Sequence, residues 1–81
     1  MITWKKYLEQ RQTLNPKMIA ALYRTSKAYK QVGQSMVLGD VINLVKHGSQ
    51  GYVPFITWAQ QANFVANHPV DYILNIYAQQ S

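Results

Sequence analysis

The 81-residue sequence contains no cysteine. Neither a disulfide bond nor a thiolate-bound zinc ion is therefore available to reinforce the core. A chain of this length buries only about 60 to 65% of the surface that it exposes when unfolded, so a homodimer interface would add useful stability. Without cysteine nothing indicates an oxidising compartment, and we expect a cytoplasmic protein.

Long apolar runs are also missing. The longest, residues 18–23, is far shorter than the roughly 20 residues of a membrane-spanning helix. The first ten residues carry Lys5, Lys6 and Glu9, where a signal peptide has an apolar stretch of about 7 to 15 residues. The sequence therefore predicts no signal peptide and no interaction with a membrane.

Acidic residues are few, since the chain has only three. Glu9, Asp40 and Asp71 fall on three different predicted helices, so no spacing brings two carboxylates together for acid–base catalysis. His47 lies two helical turns from Asp40, roughly 10 Å away, which is too far for one metal ion. His68 stands at a helix start, where we expect it to serve the turn. With no glycine-rich phosphate loop or nucleophile elbow, the sequence predicts no enzyme, no metal and no cofactor.

Positive charge is in excess and is concentrated towards one end of the chain. The formal net charge is +5. Beyond residue 42 the only charged side chains are those of Lys46 and Asp71. Seven of the eight Lys and Arg residues fall in the first thirty positions: Lys5, Lys6, Arg11, Lys17, Arg24, Lys27 and Lys30. Such an uneven distribution of charge favours polyanionic partners, of which nucleic acid is one.

Caps and hydrophobic periodicity divide the chain into about five short predicted helices. The sequence therefore predicts an all-α fold, a compact single domain over residues 1–81 with its helices in an orthogonal bundle. This is the scale of sterile-alpha-motif domains, and the similarity extends to size and helix count alone. Thr3 is the predicted cap of the first helix, which ends near Gln12.

The second helix has the clearest boundaries. Asn15 followed by Pro16 begins it, because Asn accepts a hydrogen bond from a free amide and Pro needs no donor at the first helical position. Gly33 ends it, so the helix spans about residues 16–32. The predicted apolar stripe comprises Met18, Leu22, Thr25, Tyr29 and Val32.

The starts of the third and fourth helices are indicated by single polar residues and by proline. Ser35 is the predicted beginning of the third helix and Gly48 its end. Thr57 with Gln60 forms a capping box for the fourth, although Pro54 is an alternative start one turn earlier. The predicted apolar face of the third helix comprises Val37, Leu38, Val41, Leu44 and Val45.

The last helix follows a predicted sharp corner at Asn67 and His68, and begins at Pro69. Its predicted inward residues are Val70, Ile73, Leu74 and Tyr77. We expect the core to consist of the second, third and fifth helices, with the first and fourth closing its ends.

The candidate binding residues lie on the second helix, opposite its apolar stripe. They are Lys17, Tyr23, Arg24, Lys27 and Lys30. Tyr23 falls among the cations on the helical wheel, where it either stacks on a ligand or packs over a neighbouring helix. The alternative is that this face is simply solvated.

Three further aromatic residues, Trp58, Phe64 and Tyr72, fall at the edges of predicted apolar faces. Together they would form either an exposed patch of the kind that marks an interface or a surface buried against the first helix.

The predicted function is that of a non-enzymatic interaction or regulatory module whose partner is an unidentified protein or a second copy of the chain. The alternative is sequence-nonspecific nucleic-acid binding through the basic face of residues 16–32. A helix-turn-helix is not favoured, because its reading helix, residues 69–80, has no Lys or Arg.

Overall fold

A computed structural model describes residues 15–79, and these confirm the predicted all-α, compact single domain. Within them lie four α-helices: α1 (Pro16–Gln31), α2 (Leu38–Lys46), α3 (Val53–Gln61) and α4 (Val70–Gln79). A short 3-10 turn, Gln50–Tyr52, leads into α3. The first predicted helix, residues 3–12, lies outside the described residues. Between residues 15 and 79, the only isolated β-bridge is antiparallel and joins Val37 to Pro69.

Both ends of α1 are those that the sequence predicts. The side chain of Asn15 accepts hydrogen bonds from the amides of Lys17 and Met18, at 3.1 and 3.2 Å. At the other end Gly33 has a φ of 74°, a left-handed conformation that glycine adopts without strain. The amide of the next residue, Gln34, then reaches the Tyr29 carbonyl at 2.9 Å, which closes the helix.

The same closing motif ends α2 and α3. Gly48, with a φ of 102°, ends α2 as predicted. Asn63, with a φ of 67°, ends α3, and the Phe64 amide donates to the Ala59 carbonyl at 3.0 Å. Because Asn63 stops the helix at Gln61, residues 62–69 form a long connection, and the predicted short corner is wrong.

The start of α2 also differs from the prediction. The helix begins at Leu38 and not at Ser35, and Val37 is its N-cap residue. The Asp40 carboxylate accepts the Val37 amide at 2.9 Å. A carboxylate in the first turn of α2 thus accepts the amide of the N-cap residue, as in one half of a capping box.

The remaining amides at this end of α2 are satisfied from far along the chain. Leu38 and Gly39 donate to the carbonyls of His68 and Ala66, at 3.0 and 2.8 Å. In return, the first amide of α4 donates to the Met36 carbonyl at 2.8 Å. Residues 36–39 and 66–70 therefore form a reciprocal cap, in which each segment satisfies the start of the other helix.

The start of α3 follows the alternative prediction. The helix begins at Val53, with Pro54 in its first turn. Thr57 lies inside the helix and donates its hydroxyl to the Val53 carbonyl at 2.9 Å, so the predicted capping box at Thr57 is wrong. Proline fits the first turn because its missing amide hydrogen has no partner there in any case.

All four helices contribute to the core. Two expectations are corrected: α3 supplies as many buried side chains as α4, and Val32, which was placed on the apolar stripe of α1, is 71% exposed beyond the helix end. Ser26 is buried on α1 instead. The buried apolar side chains of the four helices are Met18, Leu22, Leu38, Val41, Phe55, Ile56, Trp58, Ala59, Val70, Ile73, Leu74 and Tyr77.

The aromatic side chains of Trp58, Phe64 and Tyr72 lie side by side, and their exposure increases in that order. Trp58 is fully buried and is therefore not part of an exposed patch. Phe64 is half-buried with its ring centre 5.6 Å from that of Trp58, and Tyr72 is 56% exposed with its centre 6.2 Å from that of Phe64. The first helix, which was expected to cover them, lies outside the described residues.

The His68 side chain serves the turn, as predicted. Its Nδ1 accepts the Val65 amide at 3.0 Å, and its ring contacts that of Phe64 edge-on. We expect His68→Ala to lower the free energy of unfolding by about 1 kcal/mol, because it leaves that amide unpaired. Urea denaturation measures the loss. His47→Ala, at an exposed histidine, is the control and should change stability by less than about 0.5 kcal/mol.

Candidate anion-binding groove

Two polar contacts join α1 to α4 and show that the helices run antiparallel. The Tyr23 hydroxyl donates to the Asn75 side-chain oxygen at 2.7 Å. Further along α1, the Lys30 ammonium forms an ion pair with Asp71, which lies one turn earlier on α4. The two contacts are separated by seven residues of α1, or about 10 Å along its axis.

A groove of about 390 Å³ opens between the two helices and includes both contacts. We call it the α1–α4 groove. Its lining residues are Tyr23, Arg24, Ser26, Lys27, Lys30, Asp71 and Asn75. Four of the five predicted binding residues therefore line a single groove. Lys17 does not line it and lies about 15 Å from Lys27 along the helix axis.

The spacing on α1 explains why these side chains converge. Tyr23, Lys27 and Lys30 recur at helical spacing i, i+4 and i+7, and so share one face. Ser26 lies on that face too, next to the apolar stripe. Arg24 stands at its edge, one turn from Lys27.

The groove carries positive charge that the described residues do not neutralise. Between residues 15 and 79, Lys30–Asp71 is the only ion pair. The hydrogen bond from Lys30 holds the pKa of Asp71 below its ordinary value; partial burial opposes this, and the Tyr72 amide supports it. Lys30 is thus compensated, whereas Arg24 and Lys27 have no carboxylate partner within that range.

Ser26 lines the groove next to the apolar stripe of α1. The residue is only 4% exposed, and no other described residue forms a hydrogen bond with its hydroxyl. Its neighbour Thr25 behaves differently, since that hydroxyl donates to the Ala21 carbonyl at 2.9 Å within the helix. The Ser26 oxygen is not one of the enclosed polar atoms that lack a partner, so it is open to the groove and available to a ligand.

Sequence reasoning missed three of the lining residues: Ser26, Asp71 and Asn75. The helical spacing of Ser26 from Tyr23 was a usable signal for the first. The other two lie on α4, about fifty residues away, and no local pattern connects them to α1. The Tyr23 hydroxyl reaches across to that neighbouring helix, which is one of the two roles considered for it, and the residue is 37% exposed.

Other kinds of site find no support in the part of the chain that the structure describes. No group of three or more His, Cys, Asp or Glu side chains there is placed to hold a metal ion. Of the helices described, none has the length and apolar character needed to cross a membrane. Comparisons with protein-family models, with curated proteins and with solved structures found no match.

Removing the Asp71 carboxylate should have a small effect that depends on pH. The pKa of Asp71 is lowered in the folded state, so its ion pair stabilises the fold above the ordinary value of 3.8 and is lost as the pH falls through the lower, folded-state value. We expect Asp71→Asn to cost about 0.2 to 1 kcal/mol at neutral pH, because the pair is partly exposed. Thermal melts of both proteins should converge under acidic conditions; a difference that persists there would contradict the assignment.

Proposed function

We propose that this protein is a non-enzymatic interaction module that binds an acidic segment of a partner protein in the α1–α4 groove. The observation that carries the proposal is the pair of uncompensated cations, Arg24 and Lys27, beside the half-open groove. A carboxylate that docks there gains both charges, while the exposed ring of Tyr23 offers an apolar surface to the rest of the segment.

The α4 wall favours a peptide over a nucleic-acid backbone. It presents the Asp71 carboxylate and the Asn75 amide to the same groove. A continuous row of phosphates would meet the Lys30–Asp71 ion pair, where no free cation is available to it. A peptide instead places one or two acidic side chains near the cations and its own amide groups near α4.

A different protein is a better partner than a second copy of the chain. With three acidic residues in 81, a second copy offers little negative charge to the groove. We further propose a cytoplasmic location, in keeping with the absence of cysteine.

A non-enzymatic role agrees with what the polar groups already do. Asp40 caps α2, Asp71 pairs with Lys30, and His68 accepts a backbone amide in the turn. Each of these side chains thus has a structural partner.

Charge changes on α1 and α4 test the proposal. The probe is a labelled peptide of alternating Glu and Ala, followed by fluorescence anisotropy at roughly 50 mM salt, where screening is weak. Lys27→Glu should weaken binding about tenfold, because an attraction becomes a repulsion of similar size. Asp71→Asn should strengthen binding, because it frees Lys30.

Lys17→Glu is the matched control for Lys27→Glu. It makes the same change in net charge on the same helix, but outside the groove. Groove binding predicts little effect of Lys17→Glu. Equal losses from both variants would show diffuse attraction to the basic chain and would contradict the proposal, as would the absence of any binding.

Nucleic-acid binding is the second candidate, favoured by three exposed cations along α1, Lys17, Arg24 and Lys27, that lack carboxylate partners among the described residues. Because Lys30 is paired, three contacts are expected instead of four. The slope of log K against log salt on duplex DNA would then be about −2.7, from roughly −0.9 per contact. Lys17→Glu and Lys27→Glu would each reduce that slope by about one unit for every DNA sequence.

A further inference from the structure

We propose that the anionic group taken by the α1–α4 groove is a phosphoryl group carried on a side chain of the partner, with the Ser26 hydroxyl as one of its donors. This inference rests on the proposed function and makes it more specific. It depends on three observations: a largely buried serine whose hydroxyl oxygen is open to the groove and has no partner among the described residues, two uncompensated cations, and polar contacts at both ends of the groove.

The donor set matches a phosphoryl group better than a carboxylate. Ser26 offers a hydroxyl, and Arg24 and Lys27, one turn apart on α1, offer charged donors; all three residues line the groove. A phosphoryl monoester has three strong acceptor oxygens and a charge of about −1.5 to −2 at neutral pH. A carboxylate has a single charge, so it balances only one of the two cations.

The ends of the groove limit the length of the anionic part of the ligand. The Tyr23–Asn75 hydrogen bond and the Lys30–Asp71 ion pair bridge the two helices about 10 Å apart along α1. An anion that extends past Lys27 meets this ion pair and gains no free cation there. A single compact phosphoryl group fits between these bridges, whereas a row of phosphates does not.

The test compares three probes bound to the full chain: N-acetyl-phosphoserine amide, N-acetyl-glutamate amide and inorganic phosphate. Amide chemical shifts of α1 in NMR titrations report binding. The phosphoserine probe should bind at least about tenfold more tightly than the glutamate probe, since a hydrogen bond to a charged group is worth that factor or more.

The pH dependence provides an independent readout. Affinity for the phosphoserine probe should rise between about pH 5 and pH 7, because the phosphoryl group takes up its second charge near pH 6. Affinity for the glutamate probe should stay constant over the same range. The groove is lined by Arg, Lys, Tyr, Asp, Ser and Asn side chains and by no histidine. The rise in affinity would therefore come from ionisation of the phosphoryl group and not of the protein.

Ser26→Ala is the decisive variant, and Thr25→Ala is its matched control. Alanine favours a helix, so the fold should be retained. Ser26→Ala should weaken the phosphoserine probe about tenfold, whereas Thr25→Ala, which removes a hydroxyl outside the groove, should not. Equal effects of the two variants would overturn the inference.

The remaining outcomes separate this inference from the proposed function. If the Glu–Ala peptide binds and the phosphoserine probe shows no preference over the glutamate probe, the phosphoryl inference is wrong and the proposed function stands. If no peptide or probe binds, both are wrong. Inorganic phosphate binding as tightly as the phosphoserine probe would support the phosphoryl site but assign it to free phosphate, against a peptide partner.

Discussion

Trp58→Ala is expected to lower the free energy of unfolding by about 3 to 5 kcal/mol. Trp58 is fully buried, with its ring centre 4.7 Å from that of Tyr77 and 6.2 Å from that of Phe55. Truncation removes the contacts of the largest core side chain and leaves a cavity beneath α3. A chain of this length has a total stability of about 4 to 12 kcal/mol, so the loss amounts to between about a quarter and all of it.

Urea denaturation followed by far-ultraviolet circular dichroism measures this effect, because the signal does not depend on the tryptophan that is removed. Tyr72→Ala is the control, since this aromatic side chain is largely exposed and should cost far less. Similar losses from Trp58→Ala and Tyr72→Ala would mean that the burial assigned to α3 is wrong.

Leu22→Ala should cost about 2 to 5 kcal/mol, the second largest effect that we expect. Leu22 is almost completely buried on α1. Its loss weakens the packing that holds α1 against the rest of the core, and with it the two contacts that border the α1–α4 groove. Binding of the acidic peptide should therefore weaken together with stability.

Leu44→Ala provides the comparison for that experiment. The sequence predicts similar burial for Leu22 and Leu44, but Leu44 is half-buried on α2. The cost of Leu44→Ala should therefore be clearly smaller, because less apolar surface returns to water. Equal shifts in the urea midpoint would contradict the difference in burial.

Features whose cause lies within a few residues could be predicted from the sequence. The Asn15–Pro16 start and the glycines that end α1 and α2 each act on adjacent backbone, and all are confirmed. The inward face of α4 is confirmed for the same reason, since helical spacing alone identifies it. Asn63 was missed because asparagine adopts the left-handed conformation only occasionally, so its identity alone is a weak signal.

The sequence also failed to predict that α3 lies in the core, for a different reason. The helix is only nine residues long, and apolar side chains lie on most sides of its first two turns. A helix that is apolar all round belongs in the interior, but in so short a segment the pattern resembles a weak amphipathic helix at the edge. Tertiary packing, which the local pattern does not contain, decides between the two.

One wall of the candidate site could be predicted from the sequence, and the other could not. The groove cations and Tyr23 all lie on α1, so a helical wheel shows that they are neighbours. The opposite wall depends on α4 running antiparallel to α1, which is a property of the whole fold. The pairing of Lys30 with Asp71, and hence the restriction of free charge to Arg24 and Lys27, could not be known before the helices were placed.

The reciprocal cap between residues 36–39 and 66–70 limits how the chain can vary in length. Surface connections usually accept insertions, but here the carbonyls of Ala66 and His68 must meet two successive amides of α2. One added residue between positions 66 and 68 would move one carbonyl out of register and leave an amide at the start of α2 without its acceptor. Variants and fusions that lengthen the chain are therefore better placed between Gln34 and Ser35, which are exposed and lie outside the helices.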